Sequence, residues 1–203
     1  MTNEDACFEK PVWKLTDLSR AFWSLPVHAA RVAPTVFDKS IGGKLREEIM
    51  LAVSGVNECW YCQTAHRVFA RAEGLTDNEI EIILEGGEAG LDEAESVALE
   101  FVRDLARNGF KGRNEELYAR MDGLFSEEEK RAIESTAHVI NFANRFGNTF
   151  DAARTKLLGG CEKTGAGALD MALVSALFLP GALYVSPLVG LLHLKNKFKN
   201  TQT

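Results

Sequence analysis

Apolar residues recur at helical spacing along most of the chain, and sustained alternation at period two is absent. The pattern therefore predicts an all-α protein. Residues 13–37 carry Trp13, Leu15, Leu18, Phe22, Trp23, Val27, Val32 and Phe37, interrupted at Pro26 and Pro34, which reads as one or two short helices. After Gly42-Gly43 a helix is expected over about 44–54, with Leu45, Ile49, Ala52 and Val53 on one face. Asn57 is read as the N-cap of a helix over about 58–73, closed by Gly74. Thr76 with Glu79 forms a capping box that opens a short helix to about 85, and Gly86-Gly87 ends it. Residues 92–107 form a long amphipathic helix with Ala94, Val97, Ala98, Phe101, Val102 and Leu105 inward. A short helix over 114–122 follows, then a second capping box at Ser126 and Glu129 starting a helix to about 146 or beyond. Residues 154–167, rich in glycine, read as the loosening end of the core.

The stretch Met171–Leu194 breaks this pattern, because it contains no Asp, Glu, Lys or Arg and is followed by Lys195, Lys197 and Lys199. Length and composition permit contact with a bilayer through 171–199, since about 20 apolar residues span one. Pro180-Gly181 and Pro187 count against one straight spanning helix, and burial in an oligomer interface is the alternative. The chain accordingly divides into a catalytic domain over 1–167 and an apolar extension over 168–203. With 46% hydrophobic and 26% charged residues the chain can bury a core. A net charge of −6, with no basic stripe, disfavours nucleic acid as a partner. The acidic start (Glu4, Asp5) lacks the character of a secretory leader.

Four cysteines, Cys7, Cys59, Cys62 and Cys161, are too few to staple a secreted fold of 203 residues, so a reducing, cytoplasmic setting is expected. There a C-x-x-C is catalytic or metal-binding more often than structural. Cys59-Trp60-Tyr61-Cys62 is such a pair, and His66 lies one helical turn beyond Cys62 on the same face. A thiolate is the reactive form of cysteine; the start of a helix stabilises it at Cys59, and a nearby base can draw a proton from Cys62. Glu47 and Glu48, on the preceding helix, could relay that proton or could be a solvated face. Zinc would need a fourth ligand from Cys7, Cys161, His28, His138 or His193, and two inert core cysteines are the other plain reading. His138, Asn141 and Asn144 share one helix and read as satisfied core groups or pocket lining. Trp13, Trp23 and Phe37 read as core or pocket wall, and Trp60 as an aromatic facing substrate.

The run from Leu45-Arg46-Glu47-Glu48 through Asn57 to Cys59-Trp60-Tyr61-Cys62-Gln63-Thr64-Ala65-His66, followed by Gly74-Leu75-Thr76, resembles the alkylhydroperoxidase D (AhpD)-like branch of the carboxymuconolactone decarboxylase superfamily. The resemblance is dense over about 35 residues and looser across residues 92–150. It implies an all-α bundle assembled as a homo-oligomer. It also implies a peroxidase in which Cys62 attacks a hydroperoxide and Cys59 closes a redox-active disulfide with it. Glu47 and His66 would relay protons, and a dithiol or a lipoyl-carrier protein would reduce the disulfide, without a further cofactor. The helix-end argument instead marks Cys59 as the more acidic thiol. Tyr61 stands where some peroxidase members have a second histidine. The alternatives are a disulfide exchange protein without peroxidase activity and a redox-sensing oligomeric scaffold.

Overall fold

Local capping chemistry sets where most of the helices begin. In the computed structural model, which describes residues 7–19, 40–87 and 90–200, Thr76, Asp92 and Ser126 each accept a hydrogen bond from the backbone N–H three residues on. The glutamate at that third position answers on the cap's own N–H, completing a capping box in every case. The helices are α1 (Gly43–Val56), α2 (Trp60–Ala72), α3 (Asp77–Glu85), α4 (Glu93–Arg107), α5 (Glu115–Arg120), α6 (Glu127–Leu157) and α7 (Ala168–Asn200). Residues 15–19 are also helical, and the rest of the stretch expected to hold one or two short helices lies outside the described residues. No strand occurs among the described residues, and the fold is all-α as the hydrophobic pattern implies.

Helix α1 is the centre of the core. Its Ile49, Leu51, Ala52 and Val53 are buried, and it packs against α2, α3, α4 and α6. The amphipathic α4 contributes Phe101, Val102 and Leu105 to the same cluster, and α6 adds Ala132, Ile133, Ala137 and Ile140. Burying each large side chain of this kind stabilises the fold by about 1.5–3 kcal/mol. At Gly55 the backbone of α3 comes so close that a Cβ would stand 2.6 Å from the Leu84 carbonyl oxygen. Gly55→Ala must push α1 and α3 apart, and a urea melt should show a loss of about 1–3 kcal/mol. An unchanged midpoint would mean that the two helices separate freely.

One boundary, and the course of the apolar tail, differ from expectation. The long helix does not loosen near residue 154; α6 runs on to Leu157, and residues 158–167 form the link to α7. The apolar tail is one helical element with Pro180 and Pro187 inside it. Its inner side buries Met171 and Val174 and sets the Phe178 ring 5.5 Å from Tyr61 and 5.4 Å from Phe150, so α7 packs on α2 and α6. Among the described residues no helix is long and apolar enough to cross a membrane, and the bilayer contact expected of 171–199 finds no support. The apolar inner face is used to cover the protein's own aromatics. Leu169, Leu173, Leu177, Leu183 and Leu191 remain exposed on the outer side.

Candidate functional site

The turn between α1 and α2 differs from the capping expected there. Asn57 does not cap α2: it closes α1, its N–H donating to the Val53 carbonyl. Glu58 then adopts a left-handed conformation (φ 52°), and Cys59, in extended conformation, is itself the N-cap of α2. The Asn57 side chain is used elsewhere, donating to Asn141 Oδ1 at 3.1 Å, while Asn148 Nδ2 donates to the Asn57 carbonyl at 2.9 Å. Ser54 Oγ donates to Asn144 Oδ1 at 3.1 Å. The α6 asparagines thus clamp the turn, whereas His138, expected in the core or pocket, is exposed, its ring tilted against Phe110 with centroids 4.8 Å apart.

Cys59 is fully buried, Cys62 is partly exposed, and both are free thiols. Their Sγ atoms share a hydrogen bond at 2.8 Å. That bond favours the thiolate of Cys59 and outweighs burial, helped by the N–H groups of Cys62 and Tyr61 and by the Lys10 ammonium, so the Cys59 thiol is held below its ordinary range. The same bond, then burial and the Cys59 charge, push Cys62 well above it. The pair therefore loses its first proton as a unit, with the charge resting on Cys59. The N–H groups of the helix end, on which the sequence reading relied, contribute behind the contact with Cys62.

One turn along α2, His66 Nδ1 lies 2.7 Å from Glu47 Oε2, which reaches across from α1. In the neutral ring a carboxylate at Nδ1 holds the proton there and leaves Nε2 as a proton acceptor. All four residues singled out from sequence sit on the facing helices α1 and α2 or at the turn joining them. The solvated-face reading of Glu47 and Glu48 fails: Glu47 has only 14% of its side chain exposed, and Glu48 is fully buried with Lys44 at 3.0 Å. Burial pushes the Glu48 carboxyl up from 4.5, and Lys44 only partly offsets it. A raised folded value makes the protonated form the favoured one. Its contribution is therefore complete below 4.5 and declines as pH rises through the raised value. Urea melts over pH 4.5–8 should show wild type losing stability relative to Glu48→Gln as pH rises. Parallel curves would contradict this.

Sequence reading missed two neighbours of the pair. Gly147 lets α6 approach so closely that a Cβ there would stand 2.8 Å from Cys59 Sγ. A glycine inside an otherwise regular helix was the available signal. Gly147→Ala should displace Cys59 and slow closure of a Cys59–Cys62 disulfide by about tenfold or more, read by quenched thiol trapping; an unchanged rate would show that the sulfur has room. The second neighbour is the N-terminal segment. Cys7 and Cys161 form a disulfide, with Cα atoms 4.7 Å apart. The sequence offered these two only as distant zinc ligands; a cysteine count could not reveal that residues 154 positions apart meet. The segment and the turn bound a cleft of about 350 Å³ lined by residues 7–11 and 56–58. Trp60, 61% exposed, stands next to Cys59 in sequence, and Trp13 is buried core. Trp23 and Phe37 lie outside the described residues.

Residues 28–104 match the model of the carboxymuconolactone decarboxylase family. No curated protein matches the chain in sequence. The crystal structure of an uncharacterized peroxidase-related protein from Silicibacter sp. TM1040 superposes with a TM-score of 0.50 at 19% identity, over 71% of this chain and 74% of that one. At that identity the likeness is one of fold.

Proposed function

From the match of residues 28–104 to the carboxymuconolactone decarboxylase family we propose that this chain is a member of that family and an AhpD-like thiol peroxidase. The observation that carries the reading is the pair of sulfurs 2.8 Å apart on the helix that also holds the His66–Glu47 pair. The peroxidase-related description of the Silicibacter protein is compatible with it.

Cys62 is the more exposed residue of the pair, and Cys59 is the acidic one. A proton passed from Cys62 to Cys59 through their contact, or taken by His66 Nε2, leaves a thiolate at Cys62. That sulfur attacks the outer oxygen of a hydroperoxide. The O–O bond breaks, Cys62 becomes a sulfenic acid, and the alcohol leaves with a proton supplied by Cys59 or His66. Cys59 then attacks the sulfenic sulfur, the S–O bond breaks, and water departs as the Cys59–Cys62 disulfide forms. A small dithiol or a lipoyl carrier restores both thiols by exchange and is itself oxidised to a cyclic disulfide. No cofactor beyond the cysteine pair is required by this scheme, and nucleic acid has no part in it.

The exposed leucines of α7 fit burial between copies of the chain, so the working form is proposed to be a homo-oligomer. A cytoplasmic setting supplies the dithiols, and there the Cys7–Cys161 bond would be reversible.

The test is to supply an organic hydroperoxide and a dithiol together. Consumption well beyond one equivalent per chain supports a peroxidase. Consumption that stops at a single oxidation, with rapid exchange of small disulfides, makes the protein a disulfide exchanger instead.

A further inference from the structure

We propose that Lys10 is a positioning residue for the redox pair, presented beside the Cys59 turn by an N-terminal strap that the Cys7–Cys161 disulfide fastens to the link after α6. The inference rests on the thiol-redox reading of Cys59 and Cys62. It adds a cation and a second cysteine pair that this reading leaves without a role.

The strap is docked at both ends. At its start the disulfide is flanked by two backbone hydrogen bonds, from Phe8 N–H to the Cys161 carbonyl and from Lys163 N–H to the Phe8 carbonyl, each 3.0 Å. At its finish Trp13 N–H donates to Thr149 Oγ1 at 2.8 Å and Arg145 Nη2 donates to the Val12 carbonyl at 2.9 Å. Thr149 and Arg145 flank Gly147, the residue of α6 that touches Cys59. Lys10 falls between these anchors, on the wall of the cleft opposite Asn57 and Glu58. Closing so long a loop between Cys7 and Cys161 restricts the free strap strongly.

The Lys10 ammonium lies 5.3 Å from the centre of the Phe8 ring and at the outer limit of an ion pair. Its carboxylate partner is Asp151 on α6, 3.9 Å away, which Arg154 also approaches at 3.6 Å. Glu9 pairs with Lys163 at 3.5 Å, Glu58 lies across the cleft, and Glu47 is engaged by His66. A cation held near a forming thiolate stabilises it, and the downward pull of Lys10 on the Cys59 thiol fits this placement. The step involved is proton loss alone: Cys59 gives its proton to solvent. When a dithiol reduces Cys7–Cys161, the S–S bond breaks, two thiols form as the dithiol closes to a cyclic disulfide, and the strap loses its covalent tie while keeping its hydrogen bonds, its ion pairs and the burial of Phe8, Val12 and Trp13.

The test follows the ultraviolet absorbance of the thiolate with pH in the folded protein. Lys10→Met should raise the first ionisation of the Cys59–Cys62 pair by about half to one pH unit, with Lys10→Arg close to wild type. The double change Cys7→Ser with Cys161→Ser should shift it the same way, with helicity by circular dichroism unchanged. A wild-type midpoint in Lys10→Met would overturn the role of Lys10. A shift in Lys10→Met without one in the folded double variant would overturn the role of the disulfide. Loss of the two thiols to peroxide is read separately, so either failure leaves the peroxidase reading intact.

Discussion

Serine in place of either Cys59 or Cys62 is expected to bring steady-state peroxide turnover down to the uncatalysed rate, but for different reasons. Without Cys62 the remaining thiol is Cys59, fully buried against Gly147. With no exposed surface on Cys59, that variant should not react with a hydroperoxide. Without Cys59, Cys62 is still partly exposed and still on the face of His66, so it should react once and stop as a sulfenic acid that a trapping reagent labels. Its reaction should also be slower, because the proton acceptor 2.8 Å away has gone. Intact-mass measurement after one equivalent of peroxide separates these outcomes. A sulfenic acid at Cys59 in the Cys62→Ser variant would reverse the assignment.

The second large effect is expected at the histidine. His66→Ala should lower the rate of the first thiol oxidation by about 10²-fold or more, the range a positioned general base supplies. Glu47→Gln should lower it less, because the ring remains and only its orientation and tautomer are lost. The sign of the pH dependence distinguishes a relay from mere packing. The hydrogen bond with Cys59, then burial and the Cys59 charge, hold the Cys62 thiol well above its ordinary range, so a base is needed to take its proton. As pH rises, hydroxide removes that proton and the His66→Ala variant should recover toward wild type. A deficit of constant size across the pH range would mean that His66 only supports the fold.

Much of this was legible in the chain. Helix starts were clearest where a side chain caps its own helix, because Thr76, Asp92 and Ser126 carry the signal within four residues. Asn57 carried the same signal and meant something else: its amide is engaged by Asn141, and the cap of α2 is Cys59. A local rule cannot see a partner 84 residues away. The C-x-x-C, His66 and Glu47 were readable because their spacing follows from one helical turn and one helix hairpin. Gly147, Lys10 and the Cys7–Cys161 bond were not, since each depends on how α6 folds back over the turn. Glu48 looked like surface beside Glu47; its burial follows from α1 being enclosed on more than one side, which a stripe pattern does not convey.

The most direct test of the account is the count of free thiols in the folded protein before and after one equivalent of an organic hydroperoxide. With Cys7 and Cys161 bonded, the account predicts two reactive thiols per chain, both lost together, and a peptide map placing the new disulfide between Cys59 and Cys62. Two thiols that survive the peroxide, or a new disulfide that joins either of them to Cys7 or Cys161, would contradict it.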